Sequence, residues 1–137
     1  MKKRGQASVE YLILIGVMLA FLIPLFYYAL GEISTNLKAV QADNTVSLIV
    51  GKIDSVYNLG SGNREKLKVT IPRGTSNLTV LQNNTIQLDL LIYGNKTEIF
   101  KTSKAVNIKG SLPIAPGTYF LIIEGLDNGE VSVDVKQ

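Results

Sequence analysis

Polar and apolar positions divide the chain into three stretches with different periods. From Tyr11 to Leu30 almost every residue is apolar, a run of about twenty residues, long enough to cross a bilayer's hydrocarbon as a helix. Ser8 sits at its head as a candidate N-cap, and Pro24 removes a backbone donor near its outer end, which predicts a kink there. Tyr27 and Tyr28 close the run where amphipathic rings prefer a membrane interface. Beyond it the apolar positions thin to Ala42, Val46, Ile49, Ile53 and Val56, spaced four, three, four and three. That spacing draws one stripe down a helix, so the helix continues to Tyr57 with its outer half packed on whatever follows. Gly31 to Asn36 is the weak point, because Gly, Ser, Thr and Asn all lower helix propensity, and a break or bend is expected there.

Asn58 to Asn63, rich in Gly and Asn, ends the helix, and the period then changes to two. Leu67, Val69 and Ile71 alternate with Lys66, Lys68 and Thr70, giving a half-buried strand. Further strands are expected over 78–81 and 85–93, around an Asn83-Asn84 turn, with weaker ones at 98–100 and 106–108. Residues 119–123 are apolar on both faces and predict a covered central strand. Asp127-Asn128-Gly129 is a hairpin signal leading into Val131, Val133 and Val135. The expected fold class is α+β, a long N-terminal, transmembrane helix followed by a small antiparallel β-rich head. As segments, these are a leader over 1–5, the helix over 6–58 and the head over 59–137.

Charge changes this picture in one respect. The 137 residues carry a formal charge of +3, yet Lys2, Lys3 and Arg4 account for all of it. Without them eleven basic and eleven acidic side chains remain, so the basicity belongs to topology and nucleic-acid binding gains no support. Lys and Arg concentrate on cytoplasmic flanks, which places residues 1–5 inside the cell and the chain beyond Gly31 outside.

The chemistry is sparse. There is no Cys or His, which removes disulfides, a catalytic triad and the common zinc site. The carboxylates of the head share no recognisable spacing, and no phosphate-binding glycine loop is present. The expectation is therefore a protein without catalytic residues, metal or cofactor. Three Asn-x-Thr triplets begin at Asn77, Asn83 and Asn95. An outward-facing head offers them as glycosylation acceptors, while turn chemistry by itself also favours Asn at 83 and 95.

The order of features at the N-terminus is the most specific signal. A basic start, Met1 to Gly5, precedes Gln6-Ala7-Ser8-Val9-Glu10-Tyr11, and the apolar run comes afterwards, the reverse of a secretory signal's small-residue cleavage site. The pattern Gln6-x-Ser8-x-Glu10-x-x-x-Leu14 resembles the class III signal peptide of archaeal type IV pilin-like proteins, over roughly the first thirty residues. The resemblance implies a peptidase cut between Gly5 and Gln6, with Lys2, Lys3 and Arg4 orienting the leader, and a type IV pilin-like layout. It implies a precursor in the cytoplasmic membrane and a mature subunit in a surface filament. The partners implied are copies of itself or other pilins along residues 6–30, the prepilin peptidase, an assembly platform and ATPase, and lipid before assembly.

Glu10 takes its role from the same resemblance. An ionised carboxylate drawn to mid-membrane costs about 2.5–3.5 kcal/mol and needs a partner. In the resembled family that partner is the new α-amino group of a neighbour, here on Gln6, unless Gln6 cyclises and leaves only a hydrogen bond. The milder alternative keeps Glu10 in the headgroup zone, favoured by the helix dipole. Two other functions remain open beside the filament subunit. One is a membrane-anchored surface binding or adhesion module, the other a minor pilin that primes another filament.

Overall fold

The computed structural model describes residues 2–136, with side chains from 7 to 136. Helix α1 (Lys2–Leu59) comes first and seven strands follow. They are β1 (Arg64–Ile71), β2 (Thr75–Val80), β3 (Thr85–Ile92), β4 (Asn95–Thr102), β5 (Asn107–Gly110), β6 (Gly117–Gly125) and β7 (Glu130–Lys136). The fold is α+β, one long apolar N-terminal helix followed by predominantly antiparallel sheets. Contacts group the chain into two units, 1–36 and 37–137, so the last turns of α1 belong with the strands.

Two local expectations about α1 fail. Helical structure starts at Lys2, so Ser8 lies inside the helix and is not its cap. Lys2, Lys3 and Arg4 are good helix formers, and the helix carries on through Gly5 into the apolar run. Of the break or bend expected over 31–36, the break is absent, since the helix runs on through these residues. There the Thr35 hydroxyl donates to the Gly31 carbonyl at 3.1 Å, so it joins the turn instead of competing with it. The C-terminus forms where expected. Gly60 takes φ +89 and donates to the Val56 carbonyl at 3.2 Å, and the Asn63 amide caps the Leu59 carbonyl at 2.8 Å.

Within unit 37–137 the predicted stripe is the centre of the core. Ala42, Val46, Ile49, Ile53 and Val56 are fully buried, and Val50 joins them. They meet Leu67, Val69 and Ile71 of β1, Leu121 and Ile123 of β6, Val131 and Val133 of β7, and Leu78, Ile86, Leu88 and Leu90 of the other sheet. Side chains of α1 reach both sheets. Thr45 donates to the Thr70 carbonyl at 2.9 Å and Lys52 pairs with Glu65, both on β1. On the other flank Asp43 pairs with Lys101 at 3.2 Å, and Asp54 accepts from Ser103 Oγ at 2.6 Å.

The first sheet has the order β1-β6-β7-β5 and the second is a β2-β3-β4 meander. One pairing departs from the antiparallel expectation: β5 runs parallel to β7. β6 carries the chain back before β7 starts, so β7 repeats the direction of β5. Gly110 admits the close approach, since a Cβ there would lie 2.0 Å from the Val133 carbonyl oxygen. The covered strand over 119–123 is also only half right. β6 is central by pairing, but Phe120 on its outer face is 40% exposed. Among the described residues no second layer covers that face; the Lys66 ammonium sits 4.1 Å from the Phe120 ring centroid instead. The weak strand at 98–100 extends to eight residues once it pairs along all of β3.

Because α1 fills this core, its two faces differ sharply in energetic weight. Ile53→Ala should lower unfolding stability by about 2–5 kcal/mol. Leu48→Ala, on the 55% exposed opposite face, should stay within about 0.5 kcal/mol. Urea unfolding of the full chain in mild detergent reads both, and equal losses would contradict the assignment of core and surface.

Candidate functional site

Residues 7–30 of α1 are apolar and bare. Val9, Tyr11, Leu12, Ile13 and Leu14 are each more than half exposed, as are Phe21, Tyr27 and Tyr28, and no residue of the hydrophobic segment is buried within the chain. A soluble core helix hides one face, whereas this segment hides none. It is long and apolar enough to cross a membrane. The helix persists through Pro24, whose missing N–H leaves the Ala20 carbonyl without its usual partner.

Glu10 stands at the start of this surface, exposed and one turn before Leu14. Among the described residues it forms no ion pair. The other expected site residues of this region, Lys2, Lys3, Arg4, Gly5 and Gln6, have side chains outside the described residues. Glu10 therefore presents its carboxylate on an apolar helix, with no neutralising group among the described residues.

The three triplets differ in accessibility. Asn77 is half-buried in β2, Asn83 is exposed in the turn before β3, and Asn95 is exposed at the start of β4. Thr85 of the second triplet is buried and its hydroxyl lies 2.8 Å from that of Thr102, while Thr97 of the third is exposed. Only the triplet at Asn95 offers both its Asn and its Thr to solvent.

Sequence reasoning missed one charged cluster, on the outer face of the second sheet. Asp89 is 4% exposed, accepts from the Gln87 amide at 2.7 Å and lies 3.1 Å from Lys96. Lys96 also bonds Glu98 at 2.8 Å. Register alone brings the two carboxylates opposite each other, and no sequence spacing announces it. The Gln87 amide, helped by Lys96, holds the Asp89 carboxyl below its ordinary range against the opposing effect of burial. Glu98 first, then Asp89, raise the Lys96 ammonium. Among the described residues no three His, Cys, Asp or Glu side chains gather as metal ligands.

The Asp89 shift gives a signed prediction. A folded carboxyl pKa below the unfolded value stabilises the fold at pH values above the unfolded pKa, and that contribution is lost as pH falls through the folded pKa. Between about pH 6 and about pH 3, Asp89→Asn should therefore show a smaller loss of urea midpoint than the unaltered chain. Parallel curves would exclude Asp89 as a contributor to acid sensitivity. No protein-family model, characterised protein or solved structure matches the chain.

Proposed function

We propose that the chain is the precursor of a structural subunit of an archaeal type IV pilus-like surface filament. One observation carries the reading: a bare, membrane-length apolar helix headed by Glu10, which forms no ion pair among the described residues, within the pattern Gln6-x-Ser8-x-Glu10-x-x-x-Leu14. In this reading a membrane peptidase cuts before Gln6 and the helix remains on the mature protein. Residues 6–30 of many copies then replace lipid with one another through close van der Waals packing. Glu10 meets the freed amino group of a neighbour, which neutralises it and sets the axial step between subunits. The β-rich unit coats the outside, with an ATPase and membrane platform driving assembly from the cell.

The first experiment is mass spectrometry of the native N-terminus, taken separately from sheared surface filaments and from membranes. A chain beginning at Gln6 in filaments is the expected result. Gln6 confined to membranes would favour an anchored adhesion module or a minor, priming subunit, and intact Met1 everywhere would remove the processing step. Glu10→Gln should leave the cut in place while filament yield falls at least about tenfold. Unchanged filament yield from Glu10→Gln would remove Glu10 from assembly.

A further inference from the structure

Among the described residues nothing pairs with the outer edge of β4, which is accessible. β3 and β4 are joined by a two-residue turn, Tyr93-Gly94, both at positive φ, and pair from Ile92 with Asn95 to Thr85 with Thr102. In such a hairpin the residues flanking the turn exchange both backbone hydrogen bonds, and bonding positions then alternate. Asn95, Thr97, Ile99 and Lys101 therefore bond to β3, while the N–H and C=O groups of Lys96, Glu98 and Phe100 point away from the sheet. The bond from Ser103 N–H to the Asn84 carbonyl, at 2.9 Å, fits the same alternation. β4 is last in its sheet, and Lys96, Thr97, Glu98 and Phe100 are all exposed. An accessible strand edge of this length is a template for another strand.

Charge selects the occupant. Asp89 and Glu98 face each other across β3 and β4 and share one ammonium, that of Lys96, at 3.1 and 2.8 Å. Lys96 and Glu98, opposite in charge and two residues apart on one face of β4, make the edge complementary to itself when a second strand runs antiparallel to it. We propose that this edge pairs antiparallel with the β4 edge of a second copy of the chain, in the register that sets Lys96 of each opposite Glu98 of the other.

That register places a two-fold axis at Thr97 and matches outward-pointing backbone groups with one another. Each Glu98 gains a second cation, and opposite charges directly across a strand pair are favourable. It also brings Phe100, 67% exposed, over Gly94 of the second copy, where no atom lies within 4 Å of a would-be Cβ. A shift centred on Glu98 would instead oppose the two Glu98 carboxylates. A shift centred on Ile99 would set Glu98 against Phe100.

A two-fold contact closes on two copies and does not by itself propagate a filament. It joins copies on filaments lying side by side, where many weak strand contacts act together. That placement rests on the filament reading, whereas the edge pairing itself does not.

The chain contains no native cysteine, so single-cysteine variants report the contact cleanly. In the proposed register the two Thr97 residues form a non-hydrogen-bonded pair with Cα atoms about 4.5 Å apart, inside the roughly 4.4–6.8 Å that a disulfide spans. Full-length Thr97→Cys, purified in detergent from a host without N-glycosylation, should form disulfide dimers under mild oxidation. They should form at least about tenfold faster than with Lys104→Cys, an exposed site away from the edge, because pairing holds the thiols in reach. Adding Glu98→Pro to the Thr97→Cys chain removes an outward N–H without costing a bond to β3, and should return its rate to that of Lys104→Cys. Equal rates for the two cysteine variants would overturn the pairing, as would an unchanged rate with proline present in a chain that keeps its melting temperature. Filament yield is measured separately, so a failed cross-link and a failed filament are distinguishable.

Discussion

The fold depends on α1 supplying the core of a unit that its own strands cannot complete. The two sheets bring apolar inner faces from β1, β3, β6 and β7, and the stripe from Ala42 to Val56 lies in the same buried cluster. Fully burying Val46, Ile49, Ile53 and Val56 contributes roughly 1.5–3 kcal/mol each, a sum comparable with the net stability of a small domain. Removing the helix would expose apolar surface on both sheets at once. The polar ties on its flanks, Thr45 to β1 and Asp43 and Asp54 to the end of β4 and beyond, set which face turns inward more than they add energy. One helix thus has two solvents: protein around residues 42–56, and none of its own chain around residues 7–30.

That division explains why some of the structure was legible in the sequence. Helical periodicity survives wherever one face is buried by the protein's own head, so the stripe could be read residue by residue. Where the helix is apolar all round, as from Tyr11 to Leu30, there is no stripe to read, and composition and length carry the signal instead. The end at Gly60 was legible because left-handed geometry at a C-cap favours glycine. The start was not, because a cap needs a break before it, and the basic residues ahead of Ser8 continue the helix.

The strands show the complementary limit. Alternation predicted β1 and β3 because one face of each is buried, but it says nothing about which strand lies beside which. The parallel pairing of β5 with β7 follows from chain path, and its only local trace is Gly110 at a close backbone approach. Phe120 misled in another way. An apolar residue on an outer strand face reads as covered, yet a cation from a neighbouring strand serves as its partner. The Asp89, Lys96 and Glu98 cluster was invisible for the same reason: it exists only once β3 and β4 are in register.

The candidate site was legible in type but not in geometry. Glu10 stood out because a carboxylate before an apolar run is costly, and the described structure leaves that cost unmet within one chain. A related logic applies at β4, where the outward backbone groups meet no partner strand among the described residues. These are different kinds of deficit. Glu10 and its apolar surroundings are expensive to leave in water, which favours lasting burial against lipid or other helices. The β4 edge is charged and solvated, a state natural sheets tolerate well, so a contact there is reversible and gains strength only by repetition. In the proposed filament, a single chain would therefore hold one interface that commits it to an assembly and another that lets assemblies meet and part.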